Sequence, residues 1–142
     1  MKRENPQINT FIFDDDLFTL NTDYVIEFCK AYIEHEVNIP FVVNGHVNCF
    51  DETAAKALRE AGCIIVKFGL ESGSPRVRMQ VLKRYMKNEQ IERSFHAAHA
   101  YDMHSSAFIM FGLPYETRSE IMETIALCAK VQMGRFRWAL FF

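Results

Sequence analysis

Short β-branched and aromatic runs alternate along the chain with segments whose apolar residues recur every three or four positions, and this alternation predicts strands and helices in turn. Ile8 to Phe13 is the first apolar run, and it stops at Asp14-Asp15-Asp16, as a buried strand does when its polar end emerges in a loop. Val25, Phe28, Cys29, Tyr32 and Ile33 follow at helical spacing, behind the capping oxygens of Asn21, Thr22 and Asp23. Ile39 to Val47 predicts a second strand. Asp51 then caps a helix that turns Ala54, Ala55, Leu58 and Ala61 inward and stops at Gly62, where a left-handed residue belongs.

Cys63 to Leu70 is apolar except for Lys67 and Gly69, the mark of a strand buried on both faces of a parallel sheet. Ser74 and Pro75 suit the first positions of a helix, and Asn88 suits the cap of another that carries Ile91, Phe95 and Ala98. Ala107 to Leu113 predicts a fourth strand. Thr117-x-x-Glu120 is a capping box before a helix with Ile121, Ile125 and Cys128 inward, and Phe136 to Phe142 predicts a fifth strand. Strand and helix in strict alternation predict parallel strands joined by right-handed crossovers: an α/β fold, a partial parallel (β/α) barrel of about five strands. Asp14 to Asp16, Asn44 to Asn48, Glu71-Ser72 and Gly112 to Glu116 all fall at strand C-terminal ends, the rim on which such folds bind ligands.

Composition narrows the class. The chain has 142 residues, of which 49% are hydrophobic and 13 are Phe, so it needs an interior and is not disordered. A net charge of −2 from interspersed acids and bases gives no electrostatic footprint for nucleic acid. No apolar run is long enough for a membrane span or a signal peptide, and the four dispersed cysteines suit free thiols in a reducing cytoplasm.

Candidate chemistry concentrates at the strand ends. The carboxylates of Asp14, Asp15 and Asp16 repel one another and call for a compensating cation or helix N-terminus; the alternative is a solvated loop with Asp caps. Asp14-x-Asp16 after an apolar strand also resembles the nucleophile motif of magnesium-dependent phosphatases of the haloacid-dehalogenase type. Glu71 closes a buried strand beside Ser72-Gly73-Ser74, where a carboxylate is able to accept hydrogen bonds from a ligand hydroxyl or ammonium, or simply to stabilise the helix start. His96-x-x-His99 and His46-x-x-Cys49 lack the further partners of a metal site, and no Walker or Gly-x-Gly-x-x-Gly loop is present.

Phe13 to Phe18, Ala61-Gly62-Cys63, Phe68 to Pro75 (FGLESGSP), Val81-Leu82-Lys83-Arg84 and Phe108 to Thr117 (FIMFGLPYET), taken together and in this order, resemble the radical S-adenosylmethionine superfamily. The resemblance is to the branch in which a cobalamin-binding domain often precedes the radical core, and it covers nearly the whole chain. It implies a partial barrel that binds a [4Fe-4S] cluster and S-adenosylmethionine, cleaves the latter reductively and directs the 5'-deoxyadenosyl radical at a substrate. Carried over by position, Asp15 and Asp16 fall where the family's second-strand motif meets the methionine end of the cofactor. Glu71, Ser72 and Lys83 fall where ribose and carboxylate contacts are made, and Phe108 to Gly112, Met110 included, would line the adenine side. Tyr115 stands where the family usually has glycine between Pro and Glu, and His46 where arginine is frequent.

The family's C-x-x-x-C-x-x-C cluster loop has no counterpart among Cys29, Cys49, Cys63 and Cys128. The resemblance therefore implies that residues 1–142 are one incomplete barrel domain, with the first strand and cluster loop upstream in a longer iron-sulfur, methyltransferase-like parent. The cluster would belong to that parent only, and cobalamin to a separate parent domain. The missing barrel segment or another chain would meet the exposed strand edges. A non-catalytic βα interaction module or relic is the alternative expectation.

Overall fold

The computed structural model describes residues 5, 7–15 and 17–142. The order is β1 (Phe11–Phe13), α1 (Thr22–Glu34), β2 (Phe41–Gly45), α2 (Glu52–Glu60), β3 (Cys63–Glu71), a short π-helical turn (Val77–Val81), α3 (Asn88–Ala100), β4 (His104–Phe111), α4 (Arg118–Lys130) and β5 (Arg135–Leu140). All five strands are parallel and lie in sequence order across one sheet. The architecture is the α/β, partial-barrel fold that the alternation predicts.

The helix starts follow from their caps. Asn21 Oδ1 accepts from the backbone N–H of Asp23 (2.9 Å) and Tyr24 (3.2 Å), and Asp51 Oδ1 accepts from Ala54 N–H (2.9 Å). Thr117 and Glu120 form the reciprocal box, with Thr117 N–H donating to Glu120 Oε2 at 2.8 Å and Glu120 N–H to Thr117 Oγ1 at 3.4 Å. Gly62 follows α2 at φ +100°, a conformation that costs glycine nothing.

Alternate residues of the strands, among them Phe41, Val43, Val66, Phe68, Ala107 and Ile109, pack with Val25, Leu58, Ile91 and Phe95 of the helices in one core. Phe13, Phe18, Phe28 and Phe41 form an edge-to-face aromatic cluster against α1, with the Phe18–Phe28 and Phe13–Phe28 centroids 5.1 and 5.2 Å apart. The opposite strand positions, such as Asn44, Lys67, Ser106 and Phe108, are only half-buried and form the helix-free face of the sheet. On β5, Phe136, Trp138 and Leu140 are all at least half exposed. No helix among the described residues is long and apolar enough to cross a membrane.

The structure corrects several sequence expectations. The first strand is three residues long rather than the six from Ile8, and the fourth begins at His104 and ends at Phe111. Asn88 does not cap α3. Lys87 occupies that position, its N–H donating to Gln90 Oε1 at 2.8 Å, because the Asn88 carboxamide oxygen is taken by Arg78. The buried stripe of α4 is Glu120, Thr124 and Leu127 rather than Ile121, Ile125 and Cys128, and Ile125 is exposed. Polar residues win the inward positions of α4 because the turn after β3 presents hydrogen-bonding groups to them.

Candidate active-site rim

At the C-terminal edge of the sheet, the loop after β1 and the ends of β2, β3 and β4 enclose a groove of about 360 Å³. Leu17 of the β1 loop, Asn44, His46, Lys67, Glu71, Arg84 and Phe108 line it. Glu71 reaches it through a left-handed backbone, φ +64°, which turns the chain away from the strand. Burial pushes the Glu71 carboxyl upward, and the guanidinium of Arg84, with Nη1 3.7 Å away, only opposes the shift. Arg84 Nη2 donates to the carbonyl of Gly69 at 3.0 Å, while its buried Nε has no acceptor. Asn44 Oδ1 is likewise buried without a donor. His46 is held by its own N–H, donated to Thr19 Oγ1 at 2.8 Å, and its Nδ1 accepts from Asn48 N–H at 3.2 Å. Burial, then the nearby Arg84, depress its pKa, which favours the neutral ring.

Gly69 makes this arrangement possible. A Cβ there would sit 3.0 Å from both Arg84 Nη2 and Glu71 Oε1, so a side chain would compete for the space in which carboxylate and guanidinium meet.

One residue beyond Glu71 the chain enters a different environment. Ser72 is buried, its Oγ accepting from Ser74 N–H (3.2 Å) and lying 3.4 Å from Thr124 Oγ1, while its carbonyl accepts from Arg78 Nη1 at 2.7 Å. Gly73 N–H donates to Thr124 Oγ1 (2.7 Å), and Ser74 Oγ donates to Glu120 Oε1 (3.2 Å). Arg76 grips Glu120 with Nε (2.6 Å) and Nη2 (2.9 Å), which holds the Glu120 carboxyl far below the usual carboxylate range.

The structure thus places the sequence candidates unevenly. Glu71 and Phe108 share the groove. Asp15 lies on the same edge of the sheet, exposed, with its Oδ1 accepting from Leu17 N–H at 2.9 Å, and Asp16 lies outside the described residues. Asp14 pairs with Lys67 at 3.4 Å. Ser72 faces the interior network, and Lys83 is exposed with φ +55° while the adjacent Arg84 turns into the groove. Met110 is half-buried on the helix-free face, and Gly112, at φ +75°, donates its N–H to Glu116 Oε2 (2.8 Å) in the turn after β4. Tyr115 occupies that turn at φ +60°, which is why glycine suits its position. The sequence places Asn44 at the rim and Arg84 in a motif of the resemblance but gives neither a contact, because neither type signals a site without its neighbours.

The four cysteines do not suit a [4Fe-4S] cluster. Cys29 and Cys63 are buried, with thiols pushed up to about 12, and burial raises Cys128 to about 11, whereas cluster ligation needs thiolates. Among the described residues, no group of three His, Cys, Asp or Glu side chains converges as a metal site.

The chain is a parallel βα partial barrel with a carboxylate, a guanidinium and an aromatic ring at its C-terminal rim, the edge at which α/β barrels bind ligands. The sequence model of the radical SAM superfamily matches residues 1–128, and the chain belongs to that superfamily. An uncharacterized methyltransferase of Pyrococcus horikoshii is 33% identical over 121 residues, which are 85% of this chain and 26% of the relative. Among solved structures, the radical S-adenosylmethionine methyltransferase TsrM of Kitasatospora setae, with cobalamin and a [4Fe-4S] cluster bound, superposes with a TM-score of 0.84 at 18% identity, over 95% of this chain and 26% of that one. The cobalamin-dependent S-adenosylmethionine radical enzyme OxsB gives 0.75 at 14% identity, over 89% and 20%. The chain thus spans about a quarter of the length of the Pyrococcus horikoshii relative and of TsrM.

Proposed function

We propose that this chain supplies the S-adenosylmethionine-binding wall of a radical enzyme core. One observation carries the reading: beside Glu71, two residues that line the same groove, Asn44 and Arg84, each keep a buried polar atom, Oδ1 and Nε, without a partner. Buried polar groups are almost always satisfied, so orphans of both kinds at one groove point to a polar ligand that donates and accepts. S-adenosylmethionine has ammonium and ribose hydroxyl donors for Glu71 and Asn44, a carboxylate for Arg84, and a flat adenine for Phe108. Asp15, Met110 and Gly112 extend the contact surface along the rim, and Ser72 and Lys83 contribute through the backbone that sets Glu71 and Arg84. When bound with a cluster, the cofactor provides the radical chemistry; this chain's residues bind and orient it. The cluster comes from outside these four thiols, in a larger protein that also completes the barrel at its free strand edges and carries cobalamin in a separate domain.

Ligand-observed NMR on the chain with S-adenosylmethionine tests this. Saturable binding in the millimolar range is expected, weakened at least about tenfold by Glu71→Ala and by Arg84→Ala. Binding that both variants leave unchanged would overturn the assignment.

A further inference from the structure

Below the rim, on the helix-free face, lies a second groove of about 170 Å³. Its chemistry is uneven: Ile12, Val42 and Ile65 are apolar, His104 stands beside Ile65 on the next strand, and Lys67, Ser106, Arg135 and Arg137 make up the cationic part. The strand register explains the cationic part. Lys67 pairs across the ladder with Ser106, and Ser106 with Arg135, while Phe108 pairs with Arg137 one rung higher. Adjacent strands lie ~4.8 Å apart, so Lys67 and Arg135 flank the small Ser106 with their Cα atoms ~10 Å from each other. Lys67 and Arg135 line the groove together, with Ser106 between them.

No carboxylate lines this groove. The neighbouring acid is Asp14, whose exposed carboxylate holds Lys67 at 3.4 Å. Among the described residues, Arg135 and Arg137 have no ion pair, and the Ser106 hydroxyl has no hydrogen bond. Arg135 and Arg137 are exposed like charges two residues apart on one strand, and an anion between them would offset their repulsion.

We propose that this groove is an oxyanion subsite for the substrate: Lys67, Arg135 and Arg137 hold a carboxylate or phosphate group over Ser106, and the apolar part takes an attached hydrocarbon. Lys67 exchanges Asp14 for the ligand. Arg135 and Arg137 present planar donor forks that match either oxyanion. The bound group lies beneath Phe108, so the rest of the substrate extends toward the rim, where a cofactor-derived radical would form. The assignment to substrate rests on the radical reading above; the anion site itself does not.

Calorimetric titration of the chain at low salt with butyl phosphate, butyrate and inorganic phosphate tests the site. Saturable binding of a butyl compound, tighter than that of inorganic phosphate, is expected, and whichever of butyl phosphate and butyrate binds more tightly identifies the oxyanion. Lys67→Gln, Arg135→Gln and Arg137→Gln should each weaken it about tenfold, while Arg93→Gln, on the exposed face of α3, leaves it unchanged. Absence of saturable binding, or equal losses in Arg93→Gln and the groove variants, would overturn the proposal. Because Glu71→Ala should leave butyl-compound binding intact and Arg135→Gln should leave S-adenosylmethionine binding intact, the failure of either assignment is visible separately.

Discussion

Arg78 and Arg84 stand six residues apart in the same connection between β3 and α3, yet they belong to opposite worlds. Arg78 is fully buried and spends its guanidinium on the carbonyls of Ser72 (2.7 Å) and Met86 (3.2 Å) and on Asn88. Arg84 is partly exposed, bonds one carbonyl, and keeps a buried Nε unpaired beside Glu71. The same division separates Glu71, facing the groove, from Ser72, facing Thr124. A polar cluster whose donors and acceptors are all matched is a fastener; a neighbouring cluster with orphans on both sides is a place for a ligand. The first holds the backbone from which the second projects.

The comparison makes its strongest demand on Arg78. Replacing it with Ala leaves three acceptors unpaired and an internal void, and should cost about 3–5 kcal/mol in urea unfolding. Gly73→Ala comes next. Its Cβ would stand 2.7 Å from Thr124 N and 2.8 Å from Glu123 O, both backbone atoms, so α4 must move away, at about 3 kcal/mol. If either variant unfolds at the wild-type midpoint, the fastener is not one.

Acid titration sharpens the same region. The folded carboxyl of Glu120 titrates well below an unfolded glutamate, first because of Arg76 and then through the hydrogen bonds of Thr117 and Ser74. Its stabilising contribution is therefore complete above about pH 5 and is lost as the pH falls through about 4 toward the folded value. Melting temperatures measured across this range should fall less steeply in Glu120→Gln than in the parent chain.

On the groove side the effects on stability are small and one reverses sign. Arg84→Ala should shift unfolding by less than about 1 kcal/mol while weakening cofactor binding. Glu71→Gly should stabilise by about 1 kcal/mol, because glycine adopts φ +64° without strain and the buried carboxyl disappears. That second effect has a pH signature. A folded pKa raised above the unfolded one means that the carboxyl favours folding below about pH 4.5 and loses that contribution as the pH climbs through the folded value, so the advantage of the glycine variant should grow from pH 4 to 7. A Glu71→Gly protein less stable than its parent at pH 7 would place Glu71 with the fasteners.

Much of this protein is legible in its sequence. The alternation of period-two and helical patterns specifies the parallel α/β fold, because each pattern buries only one kind of surface and the crossovers have one hand. Asn21, Asp51, Thr117 and Gly62 declare the helix ends by chemistry that acts over three or four residues, and the strand-end motifs carry the family. Tertiary structure decided the rest. The inward stripe of α4 lies one position from where its apolar residues suggest, because Thr124 and Glu120 answer donors some fifty residues earlier in the chain. Asn88 reads as a cap but serves Arg78. Lys67, Ser106, Arg135 and Arg137 are unremarkable until the strand register lays them side by side. Local propensity fixes what a residue prefers within a turn or two, whereas pairing between distant segments depends on how the whole sheet closes, and that is where Arg84 was chosen over Lys83 to face the groove.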